Sequence, residues 1–466
     1  MSTSMTGELT ALSARAAVSA LRAGEVAPAE LIDAALRRME TWEPRLNALP
    51  TVCAERALAR APRADRATIL SGLPVAIKDL TDVAGVRTTY GSPIHADHVP
   101  DRSDILVERL EQNGALVLAK SNTPEFGAGG NTFNEVFGET RNPWDMSRTA
   151  GGSSGGSAAA LAAREVWLAT GSDLGGSLRT PASFCSVVGL RPSPGRIARG
   201  PAELPFGTLS VEGPMARDVR DAALMLDAMA GPHPADPLAL GLEPEPFLAA
   251  AERPRLPARV AWSEDLGITP VAAEVRAVFR AAVERLADAG VEAVEASPDL
   301  ADAPAAFQAL RAADFAAELG LLYASDRDRL KPDIVWNVEE GLRQPAERLG
   351  WARRARSRII HDIRAFLGRH GLLLCPAACV APFDAATRWA REVEGETFTN
   401  YVEWLRITSA LTLTGCPVVA LPCGFTQGGL PVGLQAVGPH RSEARLLSAA
   451  AAIEDVLGVA GRVPPG

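Results

Sequence analysis

Short apolar runs alternate with amphipathic segments along most of the chain. The apolar runs are bounded by Gly, Pro or polar residues, which is typical of buried strands, whereas apolar residues spaced by three and four positions predict helices. The predicted strands are 73–77, 115–119, 166–170, 259–262, 372–376, 417–422 and 432–437, and the predicted helices are 11–22, 28–41, 104–113, 157–164, 273–289, 304–320, 350–368 and 441–456. This alternation of strands and helices predicts an α/β fold with a mixed or parallel sheet.

The pattern weakens in one Pro-rich stretch, 231–257, which is the best candidate for a linker or an excursion. We expect the chain to continue through it as one domain, because strand and helix patterns resume directly afterwards. The sequence has no internal repeat at a fixed period.

The charge balance excludes several classes of partner. The chain of 466 residues has 47 basic and 56 acidic residues, a formal charge of −9. Nucleic acid and anionic membrane surfaces both favour a basic patch, so we expect neither as a partner. The N-terminal segment lacks the apolar core of a secretory signal, and no apolar run reaches the roughly 18 residues that span a bilayer. These features predict a cytoplasmic protein.

The six cysteines are scattered, and the only close pair is Cys375 and Cys379. That pair lacks a second pair of ligands, so the sequence predicts free buried thiols rather than a zinc site.

Lysine is rare in this chain, since only three of the 47 basic residues are lysines: Lys78, Lys120 and Lys331. Arginine serves wherever a permanent positive charge is enough, but a buried lysine can lose its proton at neutral pH. Lys78 and Lys120 each follow a predicted strand. Each of the three is therefore a candidate base, with a surface charge as the alternative.

The uncharged segment AGGSSGGSA, residues 150–158, has three interpretations besides a role in a reaction centre. A linker is disfavoured because an Ala-rich helix follows at once. A phosphate loop is disfavoured because no lysine follows the glycines. A nucleophile elbow fits the GxSxG spacing, but it requires a preceding strand and a catalytic histidine. The polar segment 141–149 is not predicted to be a strand, and none of the six histidines lies in a motif.

A second glycine turn, GSDLGGSLRTP (171–181), follows after one helix and one strand, so the two turns can meet in space. With it the chain resembles the amidase signature family, the Ser-cis-Ser-Lys hydrolases. The matching segments are 72–92, 114–127, 142–163, 169–196 and 412–438. The resemblance implies a single domain over 1–466, with a central, largely parallel mixed sheet covered on both faces by helices. The middle, about 235–395, is the most variable part and is expected to contribute to the substrate pocket.

The resemblance also implies roles for individual residues. Lys78 matches the catalytic base, Ser153 the relay serine that follows a cis peptide bond with Gly152, and Ser177 the nucleophile. The backbone N–H groups of Leu174, Gly175, Gly176 and Ser177 match the oxyanion hole, and Gly127 a position lining the acyl pocket. Supporting roles are expected for Ser154, Lys120, Asp173 and Arg179. The mechanism proceeds through an acyl-enzyme and requires no metal or cofactor.

The substrate class is less determined. Members of this family cleave amides, ureas or carbamates, or serve as the glutaminase subunit of a tRNA-dependent amidotransferase. Subunits of that kind resemble one another in carrying an Asp at the position where this chain has Trp404. The tryptophan there predicts an apolar wall, and therefore a small apolar or aryl acyl amide as substrate. The carbamate, urea and amidotransferase alternatives stay open, as does a homodimer. Trp336, Trp351 and Trp389 are weaker candidates for the same wall.

Overall fold

The computed structural model describes residues 8–465, and its largest feature is a twisted sheet of eleven strands. In chain order the strands of this sheet and of three small hairpins are β1 (Thr51–Val52), β2 (Pro74–Lys78), β3 (Leu116–Ser121), β4 (Phe133–Asn134), β5 (Gly138–Glu139), β6 (Arg141–Asn142), β7 (Asp145–Thr149), β8 (Leu168–Asp173), β9 (Val188–Arg191), β10 (Val211–Ala216), β11 (Arg259–Trp262), β12 (Glu292–Glu295), β13 (Leu373–Pro376), β14 (Glu392–Val393), β15 (Glu396–Thr397), β16 (Val418–Phe425) and β17 (Pro431–Val437).

The order of strands across the large sheet is β1-β3-β2-β8-β10-β9-β16-β17-β13-β11-β12. Four of its ten neighbouring pairs are parallel: β2 with β3, β2 with β8, β11 with β12 and β11 with β13. The mixed α/β fold is therefore confirmed. The expectation that its sheet is largely parallel was wrong, because the other six pairs are antiparallel. The parallel pairs form two blocks, and antiparallel pairing through the centre joins them.

Helices cover both faces of the central strands. Every residue of β2, β3, β8 and β17 is buried, which requires a layer on each side because successive side chains point to opposite faces. The helices are α1 (Ala14–Ala23), α2 (Pro28–Leu46), α3 (Ala54–Arg60), α4 (Ile105–Gln112), α5 (Gly155–Ala162), α6 (Arg179–Cys185), α7 (Val219–Met229), α8 (Phe247–Ala251), α9 (Ala273–Asp288), α10 (Ala303–Asp326), α11 (Pro332–Arg343), α12 (Ala346–His370), α13 (Arg406–Thr412) and α14 (Glu443–Leu457). Short 3₁₀ turns connect several of them.

All seven predicted strands and all eight predicted helices are present, with ends that shift by a few residues. The prediction missed β10 and α11, among others. In β10 the sequence VEGPMA contains Glu, Gly and Pro, so it shows no apolar run. Stretch 231–257 is mostly irregular, but α8 within it packs against α7 and α14 and therefore belongs to the same core.

One expectation about the approach to the Gly/Ser segment was wrong. Residues 145–149, expected to be irregular, form β7, which pairs with β6 in a hairpin outside the large sheet. Polar residues are compatible with a strand at this place because the hairpin is only partly buried.

The part of the chain between residues 8 and 465 contains no helix that combines the length and the apolar composition needed to cross a membrane. All six cysteines lie in that part as free thiols, and five of them are buried.

Gly156, in the first turn of α5, packs directly against the backbone next to the end of β3. A Cβ at this position would lie 2.4 Å from the Asn122 amide nitrogen and 2.6 Å from the Ala48 carbonyl oxygen. Both atoms are backbone, so neither can swing away. The glycine therefore sets how near α5 can come to the strand end at residue 121.

We expect Gly156→Ala to destabilise the protein by about 1–3 kcal/mol, because the added methyl group overpacks against backbone. The matched control is Gly320→Ala in α10, where a Cβ would meet nothing within 4 Å. That change is expected to stabilise by about 0.5–1 kcal/mol through helix propensity. Thermal melting of both variants checks the pair, and equal shifts would contradict this account of α5 packing.

Candidate active site

Lys78 is the last residue of β2, and its amine is completely buried. The amine Nζ lies 2.7 Å from Ser153 Oγ and 2.9 Å from the Oγ atoms of both Ser154 and Ser172. These hydroxyls use all three hydrogen-bonding directions of the amine. Among residues 8–465, no carboxylate forms an ion pair with it.

Burial lowers the pKa of Lys78 to about 7, because desolvation disfavours the charged form. The negative charges of Glu212 and Asp173 act in the opposite direction. Glu212 on β10 pairs directly opposite Ser172 on β8, so its side chain lies on the same face of the sheet as the Ser172 hydroxyl. A buried carboxylate and a buried amine therefore lie on either side of Ser172, without direct contact.

The first Gly/Ser turn brings Ser153 to this amine. The Gly152–Ser153 peptide bond is cis. Thr132 holds the turn from outside, since its hydroxyl donates to the Gly151 carbonyl and accepts from the Gly155 amide. Gly127 lies beside Ser153: a Cβ at Gly127 would sit 3.4 Å from Ser153 Oγ, and its φ is +69°.

The second turn is organised by the buried carboxylate of Asp173, at the end of β8. This carboxylate accepts hydrogen bonds from the amides of Gly176 (3.0 Å) and Leu178 (3.1 Å). It also receives a two-point contact from the Arg179 guanidinium (2.9 and 3.0 Å) and one from Arg191 (3.1 Å). Burial alone would raise the pKa of Asp173, but the two guanidiniums outweigh it and hold that pKa well below its usual range.

The two turns are joined by the backbone, because the Ser154 amide donates to the Ser177 carbonyl (3.2 Å). Ser177 itself is partly exposed to the cavity described below. Within residues 8–465, the amides of Leu174, Gly175 and Ser177 have no acceptor, so they are available to a ligand. Gly176, which the resemblance also places in the oxyanion hole, donates its N–H to Asp173 here.

The three lysines have different environments. Lys120 is buried like Lys78, but it forms an ion pair with Asp79 (3.1 Å) and donates to Thr81 O and Thr88 Oγ1. This is the supporting role expected for it. Lys331 pairs with Asp333 (2.9 Å). Of the three, Lys78 is the one whose amine bonds to hydroxyls without also forming an ion pair.

A cavity of about 230 Å³ opens at the two turns and reaches Gly127, Ser153 and Ser177. Its apolar lining includes Leu80, Phe126, Phe307, Phe315, Val402 and Leu405, and three charged residues also line it, Arg199, Arg311 and Glu318. Phe307, Phe315, Arg311 and Glu318 all belong to α10. The middle of the chain therefore supplies one wall.

Trp404 does not form that wall. Its side chain is fully buried behind the cavity and packs against Phe184 and Phe383, whereas its neighbours Val402 and Leu405 reach the cavity. The expectation of an apolar wall is met by other side chains. Trp336, Trp351 and Trp389 also lie away from this cavity.

Sequence reasoning missed Ser172, Glu212 and Arg311. Ser172 stands inside a motif segment, but nothing in its spacing shows that it contacts Lys78. Glu212 becomes significant only through its register with Ser172. Arg311 lies in a helix outside the matching segments, where an isolated arginine among apolar residues is the only signal.

Known proteins resemble the chain over nearly its full length. The protein-family model described as Amidase matches residues 30–447. The chain is 35% identical over 479 aligned positions to a glutamyl-tRNA(Gln) amidotransferase subunit of Prochlorococcus marinus (strain MIT 9303), covering 96% of this chain and 97% of that one. It is 34% identical to an acylamidase of Rhodococcus erythropolis, covering 97% of each. A crystal structure of a bacterial aryl acylamidase of the amidase signature enzymes superposes with a TM-score of 0.88 at 25% identity, covering 96% of each chain.

The family model covers most of the chain, so this protein belongs to the amidase signature family. It is an amidase-family hydrolase that acts on carbon–nitrogen bonds.

We expect Asp173→Asn to destabilise the protein by about 3–5 kcal/mol, because it leaves two buried guanidiniums without their counter-ion. The control is Asp145→Asn, which removes an exposed ion pair with Arg148 and is expected to cost at most about 1 kcal/mol. Chemical denaturation of both variants measures the difference. A small effect at residue 173 would show that the turn does not depend on this ion cluster.

Proposed function

We propose that this protein is a stand-alone amidohydrolase that cleaves linear amides with an apolar or aryl acyl portion. The proposal rests chiefly on one observation: the Lys78 amine is fully buried and lies 2.7 Å from Ser153 Oγ, in a setting that holds its pKa at about 7. An amine with that pKa is substantially neutral at physiological pH, so it can accept a proton.

In the proposed mechanism, Lys78 takes a proton from Ser153 as Ser153 takes one from Ser177. The Ser177 Oγ then attacks the amide carbonyl and forms an acyl-enzyme after the amine leaves, protonated through Ser153. The amides of Leu174, Gly175 and Ser177 donate to the oxygen as it becomes negative. The Asp173 carboxylate accepts a hydrogen bond from the Gly176 amide and thereby orients this turn. Water releases the acyl group by the same relay.

The substrate preference is supported by the cavity. Aromatic and aliphatic side chains line part of its wall beside Ser177, among them Phe126, Phe307 and Phe315. Such a wall favours an apolar or aryl group through the hydrophobic effect. The named acylamidase and aryl acylamidase relatives are consistent with this preference.

A second candidate function is the glutaminase subunit of a tRNA-dependent amidotransferase, which the 35% identity to the Prochlorococcus protein favours. Against it, the resemblance places Trp404 where those subunits carry an Asp. Ammonia release from glutamine by the purified chain, with and without co-purifying partners, separates the two functions. Glutaminase activity that appears only with partners would contradict the stand-alone proposal.

Labelling and substitution test the roles of the serines. A fluorophosphonate probe is expected to form its adduct on Ser177, and Ser177→Ala to abolish both labelling and hydrolysis of an acyl anilide. Ser153→Ala is expected to lower kcat by about 10²–10⁴-fold, as loss of a proton-transfer group does. Ser154→Ala removes the other turn hydroxyl on Lys78 and is expected to lower kcat by no more than about tenfold.

Peptide mapping after labelling decides between the candidate nucleophiles. An adduct on Ser153 or Ser154 would overturn the assignment of Ser177. Equal losses in Ser153→Ala and Ser154→Ala would overturn the relay.

We expect kcat/KM to rise with pH through a midpoint near 7, because Lys78 must be neutral to act as the base. Glu212 raises the pKa of Lys78, so Glu212→Gln is expected to move this midpoint to lower pH. Glu203→Gln, which alters a neighbouring cavity but lies outside the sheet, is the matched control and should leave the midpoint in place. A midpoint that stays or rises in Glu212→Gln would argue against Lys78 as the titrating base.

A further inference from the structure

Helix α10 turns one stripe of side chains toward the catalytic cavity. Phe307, Arg311, Phe315 and Leu319 follow one another at intervals of four and all line the cavity. The stripe starts at the nucleophile turn, since the Phe307 ring lies 3.2 Å from the position that a Cβ on Gly175 would take. A helix rises 1.5 Å per residue, so Arg311 stands about 6 Å further along the cavity.

Arg311 is a charged group in a nearly closed apolar setting. Its side chain is 5% exposed. The guanidinium carbon lies 4.2 Å from the centre of the Phe315 ring and 5.2 Å from that of Tyr401, so aromatic rings contact the cation. Its terminal nitrogens donate to Asn337 Oδ1 and to the Tyr401 hydroxyl.

Both acceptors are neutral. Asn337 is an amide, and burial raises the pKa of Tyr401, so its phenol stays protonated. A guanidinium has five N–H groups, and these bonds account for two of them. Among residues 8–465, no carboxylate forms an ion pair with Arg311, in contrast to the buried Arg179 and Arg191.

The remaining charges around the cavity do not neutralise Arg311. Asp314, one turn further along α10, interacts more strongly with Arg356 and Arg353 of α12 than with Arg311. Glu318 lies two turns from Arg311 at an exposed position, and its strongest favourable charge interaction is with Arg199. A buried charge without a counter-ion is costly unless a ligand supplies one.

We propose that Arg311 binds a carboxylate of the substrate, so that the enzyme acts on amides that carry a carboxylate a few bonds from the scissile carbonyl. This inference rests on the proposed function, because it places the scissile bond at Ser177. The planar guanidinium suits a carboxylate through paired N–H···O bonds. The apolar rings on both sides of Arg311 would contact the chain or ring that joins the carboxylate to the amide.

The carboxylate could belong to the acyl part or to the amine part, and two substrate pairs distinguish these sources. Succinanilic acid carries it on the acyl side, and levulinic anilide is its neutral methyl-ketone counterpart. The second pair is 4-acetamidobenzoate with 4-acetylacetanilide, which place the same two groups on the amine side. The two members of each pair are similar in size, and those of the first pair also share aniline as the leaving group. The kcat/KM for aryl amine release gives one acid-to-ketone ratio per pair.

For the unsubstituted protein we expect an acid-to-ketone ratio of about 10–100 in one of the two pairs, the range for a hydrogen bond to a charged group. The pair that shows it identifies the source of the carboxylate. Arg311→Gln should bring this ratio to about one or below, and Arg311→Lys should retain part of it. Arg199→Gln, which removes the other arginine of the cavity, should keep the ratio. Each ratio is internal to one variant, so a loss of folded enzyme cancels.

A ratio near one in both pairs for the unsubstituted protein would overturn the proposal, whether or not the variants fold. A ratio that Arg311→Gln leaves unchanged would also overturn the proposal. Arg311 would then have only a structural role, connecting α10 with α11 and with the segment around Tyr401. If no anilide is hydrolysed and Ser177 is not labelled, the proposed function fails. Calorimetric titration of succinanilic acid and 4-acetamidobenzoate then decides the binding site separately: binding lost in Arg311→Gln supports the site, and no binding overturns it.

Discussion

The buried contact between the Lys78 amine and three serine hydroxyls is the constraint on which the arrangement of the site depends. An amine that is completely buried and has no carboxylate in contact is stable only if neutral or almost neutral, and if every hydrogen-bonding direction is filled. Filling those directions requires Ser153 and Ser154 from the first turn and Ser172 from strand β8 to meet at the end of β2. The parallel pairing of β2 with β8 makes that meeting possible.

A second buried cluster supports the first. Asp173 ends the same strand that carries Ser172, and its carboxylate organises the turn that carries Ser177 with the help of Arg179 and Arg191. Arg191 comes from β9, and Arg179 also bonds to Gln435 on β17. The turn is therefore tied to strands far apart in the sequence, and Leu174, Gly175 and Ser177, whose amides are free, all line one cavity. Permanent cations suit this role, whereas the proton-accepting role requires a lysine.

The chemistry and the pocket come from different parts of the chain. Strands and turns between residues 74 and 179 supply the lysine, the serines and the backbone donors. Helix α10 and the segment around Tyr401 supply the facing wall with Phe307, Arg311 and Phe315.

Sequence by itself determined the α/β class, the positions of the predicted strands and helices, and the family. Glycine turns and apolar runs are local signals, and Lys78, Ser153 and Ser177 could be predicted as site residues because they lie in such motifs. Tertiary structure alone decided which groups surround them. The link from Glu212 to Lys78 depends on strand register, and the isolation of Arg311 depends on which side chains approach it. The prediction that Trp404 lines the cavity was wrong because adjacent residues in a turn face opposite sides. Desolvation and charge pairing are properties of the folded surroundings, so no local pattern could carry them.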